Sequence, residues 1–155
     1  MRAYLQKLFA HEQWANHKLL TALQAAPSVP SRTAELCPHI MAAHGFWEQR
    51  LAGEAVDFRR FEWFPQLSVE ECLTRNEQSA QHWARYLAAL PDPLDRQTLT
   101  FPSPNGPVTL RIVDILTQLH GHSIHHRAQI STDLRAAGLE PVITDYIWFC
   151  REQQG

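Results

Sequence analysis

Apolar residues recur every three to four positions along most of the chain, the spacing that predicts amphipathic helices. The first helix is predicted from residue 2 to about residue 25, where Pro27 and Pro30 end it. His11 falls on its inward stripe and is expected to be a packed or hydrogen-bonded core residue rather than a metal ligand. The stripe consists of Tyr4, Leu8, His11, Ala15, Leu19 and Ala22, widened by Leu5, Leu20 and Leu23.

A second helix is predicted from Ser31 or Thr33 to about Ala52, because its apolar residues keep helical spacing. Pro38 lies inside this segment, directly before His39. Proline removes one backbone hydrogen bond and clashes with the preceding turn, so a kink or a delayed helix start is predicted.

An aromatic-rich ordered loop is predicted over residues 53–67. Ser68 and Glu71 then match a capping box, in which hydroxyl and carboxylate accept hydrogen bonds from each other's backbone amides. A third helix is therefore predicted to about Leu90, with His82 in solvent. Its predicted inward residues are Val69, Cys72, Leu73, Ala80, Trp83, Ala84 and Leu87.

Between residues 98 and 110, Asn105-Gly106 favours a tight turn, and either a short hairpin or a plain loop fits. A fourth helix is predicted over residues 110–137, with Gly138 ending it. A short last helix is predicted over residues 146–151. Four long amphipathic helices and a short tail helix predict an all-α bundle, in which sites form from side chains on facing helices.

The length of 155 residues suits one domain with a real core, covering residues 1–155. A formal net charge of −2 without clustered Lys or Arg argues against nucleic acid or an anionic membrane as a partner. No apolar run is long enough to span a bilayer, and the N-terminus does not resemble a signal peptide. Cys37, Cys72 and Cys150 are scattered, which is typical of a cytoplasmic protein with reduced thiols.

Histidine is the one compositional oddity, since four of the nine lie between residues 120 and 126. On a helix, His122 and His126 are i,i+4 neighbours about 5–6 Å apart at Cβ, so both imidazoles can reach one metal ion. A pair on a solvated or partly buried helix face explains the same spacing, and two ligands alone do not make a site. A third ligand has to come from a facing helix.

This stretch resembles the signature H-x-x-x-H-R-G-Q-[IL] of the DinB/YfiT-like metalloproteins. Three further motifs match that family in order, so the resemblance spans nearly the whole chain. The matching residues are His122, His126-Arg127, Gln129-Ile130, His39-Ile40 with Trp47, Trp14-Ala15-Asn16 with Leu19-Leu20, and the tail residues Leu134, Gly138, Pro141, Asp145-Tyr146 and Phe149.

The resemblance implies an antiparallel four-helix bundle, often a homodimer, with one divalent metal ion held by His39, His122 and His126. Two departures from the family pattern stand out. Ala128 replaces the usual glycine, which bears on helix packing and pocket shape, and Pro38 directly precedes the first expected ligand.

Three imidazoles leave a coordination position open, as in catalytic rather than structural zinc sites. Zinc or nickel is expected, with iron or copper as other options. On zinc, bound water with a pKa of about 7 can drive hydrolysis, and a thiol can be activated at the same position. The zincin pattern is excluded, because Ser123 and not Glu follows the first histidine of the pair.

Other polar residues near these ligands have open roles. His44 can support the ligands, contact substrate or lie on a solvated face, and His125 and Gln129 can orient ligands, line a pocket or lie at the surface. Arg127 is expected to make a structural hydrogen bond or a carboxylate contact. Cys37 is expected to point away from the metal.

Three functions remain possible at this point. The first is a metal-dependent transferase that activates a low-molecular-weight thiol, since some family members resemble thiol-dependent S-transferases or a mycothiol-dependent maleylpyruvate isomerase. The second is a metal-dependent hydrolase. The third is a non-catalytic metal or small-ligand binding protein made under stress; the family name refers to damage-inducible expression, but this acidic chain offers no basic surface for DNA.

Overall fold

Helices form where the apolar periodicity predicts them in the computed structural model, which describes residues 1–103 and 105–154. This described part is mostly helical, with one small antiparallel sheet. In chain order its elements are α1 (Arg2–Ala25), α2 (Ser31–Leu51), α3 (Val69–Ala89), β1 (Thr98–Ser103), β2 (Gly106–Arg111), α4 (Ile112–Ala136) and α5 (Tyr146–Glu152), with a 3-10 turn at Leu94–Arg96.

The long helices pack by their apolar faces. α1 lies mainly against α3, and α2 contacts both α3 and α4, so α2 and α4 are neighbours although their centres are far apart in sequence. Two apolar clusters form the core, one around Phe9, Trp83 and Leu116 and the other around Leu20 and Ile40. Within the described residues, no helix is both long and apolar enough to cross a bilayer.

The predicted start and stop signals are confirmed. Ser68 Oγ accepts a hydrogen bond from the Glu71 amide at 3.2 Å, and the Glu71 carboxylate accepts one from the Ser68 amide at 2.7 Å. Gly138 takes a φ of 74°, and the Leu139 amide bonds to the Leu134 carbonyl at 2.9 Å. The hairpin alternative is also confirmed, since β1 pairs with β2 from Thr98–Arg111 to Ser103–Gly106.

Pro38 does not delay the start of α2, so the delayed-start alternative is wrong, while the kink alternative stays a prediction. The helix begins at Ser31 and runs on through the proline to Leu51. Cys37, Pro38 and His39 are all buried, and the packing around them offsets the cost of a proline in a helix, which is about 3 kcal/mol.

Side-chain directions differ from the prediction at four positions. Tyr4 is 59% exposed, and Ala22 and Ala84 are exposed as well, because the buried face of each helix is narrower than its apolar stripe. His82 is half-buried, with its ring parallel to that of Tyr86, instead of solvated. Neighbouring aromatic rings, which periodicity does not reveal, cover it.

Candidate metal centre

Contact between α2 and α4 brings together three histidines that are distant in sequence. His39 comes from the middle of α2, and His122 and His126 come from successive turns of α4. One nitrogen from each ring lies within 4.8 Å of the other two. His39 is buried, and the other two rings are half-buried.

The distances between the nitrogens suit one metal ion. His122 Nε2 lies 3.2 Å from His39 Nε2 and 3.1 Å from His126 Nε2. Zinc–nitrogen bonds of about 2.0–2.1 Å in a tetrahedron place ligand nitrogens about 3.3 Å apart. Two of the three nitrogen pairs therefore have the spacing of zinc ligands, and the three rings together can hold a metal ion.

Two of these rings are oriented by hydrogen bonds on their far side. His39 Nδ1 lies 2.8 Å from the Trp63 carbonyl, which can only accept, so His39 donates from Nδ1 and turns the Nε2 lone pair inward. His126 Nδ1 lies 2.8 Å from Gln129 Oε1, which can also only accept, so His126 likewise donates from Nδ1 and turns its Nε2 lone pair inward. Phe64 stacks on His39 at 4.4 Å between ring centroids. Such outer contacts are typical of histidines that ligate metals.

His122 lies between the other two rings, and its buried Nδ1 has no hydrogen-bond partner among the described residues. Burial, reinforced by the positive charge that His126 and His39 can carry, lowers the pKa of His122 to about 4. Burial also lowers the pKa of His126. Both rings are therefore neutral near pH 7, the form in which imidazole binds metal.

The remaining predicted site residues divide into two groups. Gln129 Nε2 lies 3.1 Å from His125 Nε2, so a row of hydrogen bonds runs from His126 through Gln129 to the exposed His125. His44 and Arg127 are buried and do not belong to the three-histidine cluster, and both take part in a polar cluster of their own. The solvated alternative for His44 is thus wrong.

Cys37 lies outside the centre, as predicted. It is buried in the apolar cluster that also contains Cys72. Burial raises the pKa of the Cys37 thiol to about 12, so this thiol stays protonated.

The polar cluster is centred on Glu12, whose importance the sequence did not reveal. Glu12 is only 2% exposed, and its Oε1 accepts from Arg127 Nη1 at 2.8 Å, while Oε2 lies 3.1 Å from His120 Nδ1. Arg127 Nη1 also donates to Asn16 Oδ1 at 2.8 Å. The carboxylate contact expected for Arg127 was one sequence signal of this cluster, and the positions of Glu12 and Asn16, one turn apart beside the apolar stripe of α1, are another.

His44 also belongs to this cluster, and the hydrogen bond from Trp83 determines which of its ring nitrogens carries the proton. Trp83 Nε1 donates to His44 Nδ1 at 3.0 Å, so the proton of the neutral ring sits on Nε2, which faces Ser123 Oγ at 3.3 Å and Glu12 Oε1 at 3.6 Å. Burial alone would raise the pKa of Glu12, but the charge of Arg127 and hydrogen bonds from His120 and His44 lower it well below its usual value. Glu12 is therefore a buried carboxylate that stays ionised.

His11 behaves as predicted for a core histidine. It is 1% exposed, its Nε2 contacts the Thr144 carbonyl at 2.8 Å, and Tyr146 and Phe149 surround its ring. This contact ties the segment before α5 to α1.

Comparison with known proteins identifies the family of this chain. The model of the DinB family matches residues 1–155. A search of curated proteins finds no match. The family match covers the whole chain, including both helices that carry the three-histidine cluster, and the protein therefore belongs to the DinB family.

Proposed function

We propose that His39, His122 and His126 hold one divalent metal ion, with zinc or nickel favoured, and that this centre serves a thiol-dependent transfer reaction. The proposal takes the four long helices as an antiparallel bundle that forms one domain over residues 1–155. The observation that carries it is the approach of three Nε2 atoms from two helices, with two rings held by carbonyl oxygens behind them.

The cluster has three members and no fourth among the described residues. Structural zinc sites are closed by four protein ligands, whereas sites with three leave room for water or substrate. Three neutral rings add no negative charge to the ion. When bound, such an ion would act as a Lewis acid with an open coordination position, and it would lower the pKa of a thiol placed at that position.

The surroundings of the histidines favour a thiol over hydrolysis. Among the described residues, no Asp or Glu belongs to the cluster, so the activation of water would rest on the metal ion without a carboxylate of the cluster as general base. Glu12, a buried carboxylate, is already held by Arg127 and His120. A thiol has a pKa of about 8.5 and needs far less help than water to lose its proton.

The test uses protein loaded with Co²⁺, whose spectrum reports its ligands. Adding 2-mercaptoethanol is expected to produce a sulfur-to-cobalt charge-transfer band in the near ultraviolet, while ethylene glycol, which lacks the thiol, is expected to leave the spectrum unchanged. An unchanged spectrum with the thiol, together with turnover of ester or amide substrates in its absence, would overturn the transferase proposal in favour of a hydrolase.

The hydrogen bond behind His126 gives a prediction for metal affinity. Gln129→Leu removes the acceptor at 2.8 Å from His126 Nδ1 and leaves the ring free to turn, so metal affinity is expected to fall about 10- to 100-fold. Competition with a chromophoric chelator measures this change. Gln78→Leu, at an exposed position on α3, is the matched control and is expected to bind metal like the wild type.

A further variant separates the two partners of Gln129. His125→Ala removes only the exposed end of the hydrogen-bonded row and is expected to retain metal affinity within about threefold, far less than the effect of losing the bond to His126. Equal losses in Gln129→Leu and His125→Ala would show that the bond to His126 is not what matters.

A further inference from the structure

Arg50, in the last turn of α2, is a buried cation without a carboxylate partner among the described residues. Its side chain is 8% exposed, and its guanidinium lies over Phe46 at 4.4 Å and over Phe101 at 4.2 Å from the ring centroids. Nη2 donates to the Val56 carbonyl at 3.1 Å, the one hydrogen bond that the described residues provide. Burial lowers the pKa of Arg50, and the charge of Asp57 opposes this shift.

This guanidinium lines an open cavity of about 620 Å³ between the loop after α2 and the hairpin. The volume is in the range of about 300–1,000 Å³ that small-molecule sites have. The walls are largely apolar and aromatic, with Phe58 and Phe101 the largest side chains. An apolar cavity with a few polar groups at one wall is the usual form of a site for a small organic molecule.

Asp57 also lies on the cavity wall, but its carboxylate is engaged elsewhere. It accepts a hydrogen bond from the Arg59 backbone amide at 2.9 Å and lies 3.8 Å from Arg60 Nε. No carboxylate oxygen of the described residues lies within salt-bridge distance of Arg50. The planar fork of Arg50 therefore has spare donors, and its charge is balanced only in part, by the more distant carboxylate of Asp57.

We infer that this cavity is a binding site for a small organic carboxylate with an aromatic or other apolar body. The carboxylate pairs with the Arg50 guanidinium, a geometry in which two parallel hydrogen bonds form. The apolar body lies against Phe58 and Phe101. Arg59, at the exposed side, adds a second positive charge.

Trp63 connects the cavity to the histidine cluster, although neither site depends on the other. Phe58 provides a carbonyl that accepts from Trp63 Nε1 at 2.9 Å, and the Trp63 carbonyl accepts from His39 Nδ1 at 2.8 Å. The loop that forms the cavity wall is thus also the loop that orients His39. The site stands on Arg50 and its cavity alone, and it remains if no metal binds.

The experiment is a titration of the full-length ¹⁵N-labelled protein, followed by NMR, with benzoate as the probe. Saturable shift changes are expected at the backbone amides of residues 55–59, Phe101 and Ser103. Benzamide, which has the same shape without the charge, is expected to bind at least about tenfold more weakly, as a charge-assisted hydrogen bond implies. Inorganic phosphate, an anion without an apolar body, is expected to bind weakly as well.

Two variants test the assignment. Arg50→Gln is expected to weaken benzoate binding at least about tenfold, while Arg85→Gln, at an exposed position on α3 outside the cavity wall, is expected to leave it unchanged. Ala55→Phe fills the cavity from an exposed wall position without touching Arg50 and is expected to abolish binding. If Arg50→Gln does not fold, Ala55→Phe alone tests whether benzoate binds in this cavity.

Several results would overturn the inference. These are the absence of saturable shifts in the wild type, equal binding of benzamide, or unchanged binding in a folded Arg50→Gln or Ala55→Phe variant. Phosphate binding as tight as that of benzoate would show an anion site without the apolar component that we infer.

Discussion

His122→Ala is expected to remove stoichiometric metal from the protein. His122 Nε2 is the central nitrogen of the cluster, 3.2 Å from His39 and 3.1 Å from His126. Without it the two remaining nitrogens form an incomplete site on different helices. Since loss of an outer contact alone costs about 10- to 100-fold, loss of this ligand is expected to reduce metal affinity by more than about 100-fold.

The measurement is metal content by mass spectrometry after loading with zinc or nickel and dialysis, combined with a chelator competition. His82→Ala removes a half-buried histidine of α3 that is remote from the cluster, and it is the matched control. It is expected to retain one metal ion per chain. A wild type without stoichiometric metal after loading, or a His122→Ala variant that still holds it tightly, would contradict the three-histidine centre and with it the proposed transfer reaction.

How far the sequence predicts this cluster differs between its members. His122 and His126 show a local signal, because i,i+4 spacing puts two rings on one helix face. His39 gives no such signal, since it is 83 residues from His122 and an isolated histidine on an apolar helix is usually a core residue. Its place was predicted only through the family resemblance, and the packing of α2 against α4 brings the three nitrogens together.

The helices themselves were predictable for a different reason. Periodicity, the capping box at Ser68 and the glycine at residue 138 are local features, and local rules fix where a helix begins and ends. The delayed start predicted from Pro38 is wrong because the packing of the residues around it outweighs a local preference. Side-chain exposure, as at Tyr4 and His82, depends on neighbours from other elements and so was only partly predicted.

Buried polar partners were the least predictable part. Glu12 and Arg127 are 115 residues apart, and His44 and Ser123 are 79 apart, so no spacing rule connects them. A carboxylate on an apolar stripe indicates that some partner exists, because a buried unpaired charge is very costly. It does not identify that partner, which explains why Arg127 was expected to contact a carboxylate that could not be named.

Glu12→Gln is expected to destabilise the fold by about 3–5 kcal/mol, the largest change in stability that we predict. The substitution keeps the shape of the side chain but removes the charge that faces Arg127 at 2.8 Å. Arg127 is 3% exposed, so its guanidinium would be left in the core without a counter-charge. Urea denaturation at neutral pH measures the difference, and Glu77→Gln on the exposed face of α3 is the control, expected within about 0.5 kcal/mol of the wild type.

A double variant and the pH dependence identify the cause. Glu12→Gln combined with Arg127→Met is expected to lose less stability than the sum of the single changes, because no lone charge remains buried.

The pKa of Glu12 is held well below its usual value of 4.5, so the unfolded chain takes up this proton first as the pH falls. The contribution of Glu12 is therefore complete above pH 4.5 and is lost progressively below it. The stability gap between wild type and Glu12→Gln is expected to be constant from about pH 7 to 5 and to narrow at lower pH. If the stability losses of the two single variants add up in the double variant, or if the stability gap between wild type and Glu12→Gln does not change with pH, Glu12 acts by packing and not by charge.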